Sequence, residues 1–266
     1  LKGPTLDGLG KYLEEMVPVD KTQKPVDVAE VLKESGAEIL VSYLPVGSYE
    51  ASRFYAQQAI EAGCGFINCI PEFIVSSKEW GKKFEEAGLP CAGDDIKSQV
   101  GATILHRTLT KLLHDRGVKI EESYQLNIGG NTDFLNMLEE ERLTSKRVSK
   151  TEAVASQVPY EVPLRIGPSD YVPFLKDNKI CYIYIRGRKF GDVPIVIDVK
   201  LSVEDSPNSA GVVIDAIRAV KLALDRGIGG PLIGVSAYFF KHPPVQMPDT
   251  EARKAVEDFI AGRRER

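Results

Sequence analysis

The chain of 266 residues lacks any uninterrupted apolar run near the ~20 residues that a membrane-spanning helix needs, and no signal-peptide pattern opens it. It also lacks a large excess of basic charge. Against 38 acidic residues stand 34 basic ones, a formal charge of −4, which argues against a nucleic-acid or membrane-surface role driven by bulk charge. Histidines number only three. His106 and His114 fall in a helical pattern outside any cluster of Cys, His or carboxylates at ligand spacing, where a surface or satisfied core histidine is the favoured reading, and His242 beside Pro243-Pro244 is a weak candidate. Neither GxSxG nor HExxH occurs, so hydrolase and metalloprotease readings have no support. The four cysteines, Cys64, Cys69, Cys91 and Cys181, form no CxxC pair, and free thiols in a reducing, cytoplasmic compartment are expected. No internal repeat, low-complexity segment or linker is visible. The chain begins Leu1-Lys2-Gly3-Pro4 rather than with methionine, and a preceding segment outside this sequence is expected.

What is present is alternation of helical and extended patterns. Asp27 to Ser35 reads as a short helix capped by Asp27, Tyr49 to Ala62 as a helix stopped by Gly63, and Lys78 to Ala87 as a helix closed by Gly88. Between them lie the apolar runs Ile39–Leu44 and Phe66–Ile70, which predict βαβ units around a buried parallel sheet, and the short segment Leu89–Ala92 follows the third helix. The period then changes. Ser98 to Asp115 reads as a helix with Val100, Ile104, Leu105, Leu109 and Leu112 on one face. Residues 182–186 and 193–203 alternate as adjacent strands, antiparallel by preference, with one covered face. Ser206-Pro207 predicts a helix start, followed by the stripe Val213, Ile214, Ile217, Val220 and Leu224 up to Gly227. A last helix covers about Thr250 to Ile260. The expected fold is α/β: a Rossmann-type part interrupted by a sheet-rich α+β part.

Two local features suggest chemistry. Leu44-Pro45-Val46-Gly47-Ser48 ends a strand and precedes a helix, so its backbone N–H groups could approach a phosphate or ribose, although such a loop is more often only a turn. Lys146 and Lys150 are four apart and would share a helix face, a spacing that could hold an anion or lower one lysine's pKa. With Arg142 and Arg147 beside them, a solvated basic face is the favoured reading from spacing alone.

The longer motifs carry more. Gly93-Asp94-Asp95-Ile96-Lys97-Ser98-Gln99-Val100-Gly101, Leu126-Asn127-Ile128-Gly129-Gly130-Asn131-Thr132-Asp133-Phe134-Leu135-Asn136 and Ser145-Lys146-Arg147-Val148-Ser149-Lys150-Thr151 come in that order. Glu204-Asp205-Ser206-Pro207-Asn208-Ser209-Ala210-Gly211 and Ala237-Tyr238-Phe239-Phe240-Lys241 follow. Together they resemble the myo-inositol-1-phosphate synthase family over nearly the whole chain, and Pro4–Gly10 with the Leu44–Ser48 loop is similar to its compact bacterial and archaeal branch. The resemblance implies an NAD-dependent isomerase that cyclises D-glucose 6-phosphate to 1L-myo-inositol 1-phosphate by oxidation at C5, enolisation, intramolecular aldol closure and re-reduction. It implies a homotetramer whose Rossmann domain, residues 1–98 and 206–266, is interrupted by a catalytic and tetramerisation domain at 99–205.

By motif position the resemblance assigns Lys146, Lys150, Lys179 and Lys241 as the catalytic lysines. Lys150 and Lys179, with Ser98, Gln99 and nearby backbone N–H groups, would hold the substrate phosphate, while Lys146 and Lys241 lie near reacting oxygens. Asp133 and Asp205 would orient lysines or relay protons, and Asn127 and Asn131 belong to the polar shell. Leu44, Pro45, Val46, Gly47, Ser48, Asn68 and Asp95 are expected at NAD. Ammonium groups suit this chemistry because oxidation, enolisation and aldol closure each build negative charge on oxygen. The family's glycine-rich dinucleotide fingerprint does not occur in this sequence. No metal ligands are assigned, since the sequence holds no ligand cluster, and the resemblance leaves open a divalent or monovalent cation. Two rivals stand beside this reading: another NAD-linked sugar-phosphate oxidoreductase, and a catalytically dead assembly or regulatory subunit.

Overall fold

A computed structural model describes residues 1–138 and 151–266, with Ser169 described by its backbone alone. Lys146 and Lys150 therefore lie outside the described residues. Contacts divide the chain into two units, Leu1–Ile96 with Val213–Arg266 and Lys97–Val212. In chain order the first stretch contains α1 (Lys11–Met16), α2 (Val28–Glu34), β1 (Ile39–Ser42), α3 (Tyr49–Ala62), β2 (Gly65–Asn68), α4 (Lys78–Glu86) and β3 (Pro90–Ala92). The second unit contains α5 (Ala102–Asp115), β4 (Lys119–Gly129), α6 (Thr132–Asn136), β5 (Leu164–Tyr171), β6 (Asn178–Lys189) and β7 (Val193–Glu204). Then come α7 (Asp205–Asp225), β8 (Gly230–Pro231), α8 (Ile233–Phe239) and α9 (Asp249–Ile260).

In the first unit β1-β2-β3-β8 form a sheet whose neighbours are all parallel. Every residue of β2 is buried, as a strand covered on both faces requires. Phe66 of β2 stacks on Phe84 of α4 at 5.7 Å between ring centroids, within a cluster that includes Ala56, Ile74 and Cys91. A Cβ on Gly65 would lie 2.7 Å from Val220 of α7, so glycine permits that close approach. Local signals hold here: Asp27 accepts from the Glu30 N–H at 3.0 Å, and Gly63 closes α3 with φ +77.

In the second unit the order is β5-β4-β6-β7, with β4–β5 parallel and the other pairs antiparallel. Ile183 and Ile185 of β6 pack with Ala102 and Leu113 of α5, and Ile195, Ile197, Val199 and Leu201 of β7 join them. Three expectations need correction. The helix expected from Ser98 begins at Ala102, because Asn208 takes hold of the preceding residues: the Gln99 N–H donates to its backbone carbonyl at 2.9 Å and the Val100 N–H to its side chain at 3.0 Å. Of the expected α5 stripe Leu105 and Leu109 pack against the core, but Val100 and Leu112 are exposed, and the buried positions are Thr103, His106, Arg107, Thr110 and Leu113 with Ala102. Finally, Ile214 is exposed on α7, and that helix starts at Asp205 rather than after a Ser206 cap.

Candidate functional site

Two clusters of candidate residues emerge, one in each unit. In the first unit, Ile96 and Phe240 form an antiparallel bridge. Next to it the Asp94 N–H donates to the His242 carbonyl at 3.1 Å, the His242 N–H returns a bond to Asp94 O at 3.0 Å, and the Lys241 N–H donates to Asp95 O at 2.7 Å. This backbone ladder sets Lys241 Nζ 2.6 Å from Asp95 Oδ1, with side chains only 15% and 4% exposed. The adjacent aspartates are told apart by their partners. Asp94 is fully buried and accepts from Asn68 Nδ2 at 2.8 Å, Val75 N at 3.0 Å, Ser76 N at 2.9 Å and Ser76 Oγ at 2.8 Å. Burial pushes its carboxyl up, while those donors pull it down. Asp94 is thus an anchor, and Asp95 is the carboxylate that meets a lysine.

Asn68 stands at the carboxyl end of β2, beside Ser42 of β1 in register. Its Nδ2 serves Asp94 and the Glu72 carbonyl. Its Oδ1, and the Ser42 Oγ, are buried without a hydrogen-bond partner. Buried unsatisfied polar atoms call for an explanation, and ligands of open α/β sheets bind at these strand ends. Cys69 next to Asn68 is no nucleophile, since burial raises its thiol to about 12.

The Leu44–Ser48 loop folds as a turn in which Pro45 O accepts from both Ser48 N at 3.2 Å and Ser48 Oγ at 2.6 Å. At the start of α3, the Glu50 and Ala51 N–H groups donate to the Asp7 carboxylate at 2.8 and 3.0 Å. These two amides already hold an anionic partner.

The second cluster forms where β7 ends and α7 begins. Lys179 near the start of β6 pairs in register with Val203, two residues before Asp205. Its Nζ lies 2.8 Å from Asp205 Oδ1, with side chains 17% and 16% exposed. Burial would push the Lys179 ammonium down, but the charges of Asp205 and Asp133 hold it above the usual lysine value. Burial likewise pushes Asp205 up, and Lys179 outweighs this and holds it low. Asn131 reaches Asp177 Oδ1 and Asp205 Oδ2 from Nδ2, both at 3.3 Å, while its Oδ1 caps α6 by accepting from the Phe134 N–H at 3.2 Å.

Asn127 sits elsewhere. It is fully buried, donates to the Gly167 carbonyl at 3.0 Å, and accepts from Gln125 Nε2 at 3.1 Å. Gln125 and Ser123 flank both ring nitrogens of His106 at 3.2 and 2.7 Å, and burial lowers that imidazole to about 4. His106 is a satisfied core histidine. Ser98 precedes α5 instead of opening it, and Gln99 lies against Gly211, where a Cβ would come within 2.9 Å of its side chain. Sequence reasoning missed Ser42 and Asp177. Ser42 had a faint signal as a small polar residue inside the apolar run Ile39–Leu44, whereas Asp177, two residues before Lys179, had none.

Residues 101–206 match the family described as myo-inositol-1-phosphate synthase. The inositol-3-phosphate synthase of Mycobacterium tuberculosis is 58% identical over 264 residues, covering 98% of this chain and 72% of the relative. The chain belongs to the myo-inositol-1-phosphate synthase family. The inositol-3-phosphate synthase of Mycolicibacterium smegmatis is 57% identical, with 98% of this chain and 74% of the relative covered. A solved myo-inositol-1-phosphate synthase-related protein from Thermotoga maritima shares the fold with a TM-score of 0.78 at 22% identity, over 95% of this chain and 76% of that one.

The matched segment of the synthase family holds Asn127, Asn131, Asp133, Lys146, Lys150, Lys179 and Asp205, whereas Asp95 and Lys241 fall outside it. Among the described residues no helix is long and apolar enough to cross a membrane, and no group of three or more His, Cys, Asp and Glu could hold a metal ion.

Proposed function

We propose that this chain carries the catalytic residues of an inositol-3-phosphate synthase, which converts D-glucose 6-phosphate to 1L-myo-inositol 1-phosphate with no net redox change. The observation that carries this reading is that the two described lysines of the family motif, Lys179 and Lys241, are each held by a motif carboxylate in a mostly buried ion pair. Such pairs fix an ammonium in place, as stabilising negative charge on a reacting oxygen demands.

The residues fit a dinucleotide. Ser42 Oγ and Asn68 Oδ1 are buried polar atoms without partners at the carboxyl ends of adjacent parallel strands, and Asp95 follows the next strand. These three, with the Leu44–Ser48 loop, would hold NAD. When bound, NAD supplies a reversible hydride acceptor. Lys241 holds its ammonium at the sugar oxygens that gain charge on oxidation and enolisation, and Asp95 fixes that ammonium. Lys179 meets the substrate phosphate together with Ser98 and Gln99, while Asp205 and Asp133 keep it protonated. Lys146 and Lys150 complete the set by motif position. The reading includes a divalent or monovalent cation as an assay variable and a cytoplasmic homotetramer, whose mass in solution tests the assembly.

The deciding assay incubates the full-length protein with glucose 6-phosphate and NAD, and follows both inositol phosphate and absorbance at the NADH wavelength. Inositol phosphate without net NADH is expected. Stoichiometric NADH would instead identify a sugar-phosphate oxidoreductase, and absence of product across cation conditions would identify an assembly or regulatory subunit.

A further inference from the structure

Asp177 belongs to none of the motifs that carry the family resemblance, yet it connects three of the elements that build the second cluster. Its Oδ2 accepts from the Ser206 N–H at 3.0 Å, and its Oδ1 accepts from Ser206 Oγ at 2.7 Å. Its own carbonyl accepts from the Asp205 N–H at 3.0 Å. The carbonyl and the carboxylate of Asp177 thus take the first two amides of α7, the place where a helix favours negative charge. The same Oδ1 also accepts from Asn131 Nδ2.

Asn131 therefore stands between two carboxylates. Its amide offers two hydrogens; one contact goes to Asp177 and one to Asp205, whose other oxygen receives Lys179. With Asn131 Oδ1 engaged by Phe134 N, the amide orientation is fixed from both ends. The approach depends on a glycine. A Cβ on Gly130 would lie 2.5 Å from Lys176 N and 2.6 Å from Val172 O, so any larger residue would drive the turn before Asp177 away from Asn131.

We propose that Asp177 is a positioning residue for catalysis: through Asn131 it fixes Asp205, and through Asp205 the ammonium of Lys179. The inference rests on the synthase reading for the role of Lys179. Mere capping of a helix would predict lost stability with unchanged chemistry. Positioning predicts a loss that passes through Asn131.

The test compares wild type, Asp177→Asn, Asn131→Ala, the double variant and Ser206→Ala as full-length enzymes turning over glucose 6-phosphate with NAD. Wild-type turnover is the control on the synthase reading, and its absence would defeat that reading before any variant is measured. With an active wild type, Asp177→Asn is expected to lower kcat about tenfold or more, the scale set by small misplacements of a charged group. Ser206→Ala, which keeps the carboxylate, should stay within about twofold. Asp205, Asp133 and Cys181 are the titratable groups acting on Lys179. Loosening Asp205 should bring the alkaline limb of the kcat profile to lower pH. In the double-mutant cycle, Asp177→Asn should add nothing to Asn131→Ala. Additive losses, or a wild-type kcat and alkaline limb in Asp177→Asn, would overturn the proposal. If Asp177→Asn does not fold, Asn131→Ala decides alone, and wild-type kinetics there would equally overturn it.

Discussion

The Lys241–Asp95 pair is framed by a reciprocal main-chain ladder, whereas in the Lys179–Asp205 pair the carboxylate is also steered by a neighbouring side chain, Asn131. In the first unit a reciprocal ladder between Asp94–Asp95 and Lys241–His242 fixes both backbones, and Asp94 anchors the ladder through four hydrogen bonds. In the second unit Asn131, itself held by Asp177, determines where Asp205 points. The difference teaches where each half is vulnerable. Changing Lys241 or Asp95 removes chemistry from a frame that persists, while changing a neighbour of Asp205 moves chemistry that is still present.

The largest effect should come from the more buried pair. Lys241→Ala deprives Asp95, 4% exposed, of its ammonium, and should cost about 3–5 kcal/mol of stability, as breaking a buried pair does. On the synthase reading, turnover should fall by about 10²–10³. Thermal unfolding and initial rates check the two numbers separately, and a variant with near-normal turnover would remove Lys241 from the catalytic set.

Lys179→Ala should lose activity on a similar scale but less stability, because the Asp205 carboxylate is 16% exposed where that of Asp95 is 4% exposed. The stability gap between wild type and this variant should also depend on pH. Lys179 is raised above the ordinary value of 10.5, so its contribution is full below that pH and is lost as pH rises through the raised value. Asp205 is lowered from 3.8, so its contribution is full above that pH and is lost as pH falls through the lowered value. Denaturant midpoints should show a gap that is flat between these limits and closes outside them. A gap that changed between pH 6 and 9 would contradict the pair as the source.

The smallest effect sharpens the comparison. Gly130→Ala touches neither lysine, but its methyl group would meet the backbone of Val172 and Lys176, and overpacking of this kind costs about 1–3 kcal/mol. Turnover should fall along with the melting temperature, because the displaced turn carries Asp177. Unchanged kinetics would mean that the second cluster tolerates movement of its support.

Legibility in the sequence followed interaction range. The helix over Tyr49–Ala62 was readable to the residue, since Gly63 supplies a left-handed stop, and the β6–β7 alternation was readable because one face is covered. The start of α5 was not, since Asn208, more than a hundred residues away, holds Gln99 and Val100 out of the helix. Its apolar stripe was legible only in Leu105 and Leu109, because the most buried positions are largely polar, with His106 facing Ser123 and Gln125. In the candidate site, motif position pointed to Lys179, Lys241, Asp95 and Asp205, but it could not show that Asn127 is built into the interior or that Asp177 supports Asn131.

By itself, then, the sequence determined what local chemistry controls: helix stops, the periods of the strands, and the motif residues that resemble the synthase family. Only the tertiary structure decided which of two adjacent aspartates meets a lysine, and which lysine each carboxylate serves. Lys241 and Asp95 are 146 positions apart, and Lys179 and Asp205 are 26 apart. Contacts of such separation are set by strand register and by main-chain pairing between distant segments. Neither leaves a periodic trace in the residues that make the contact.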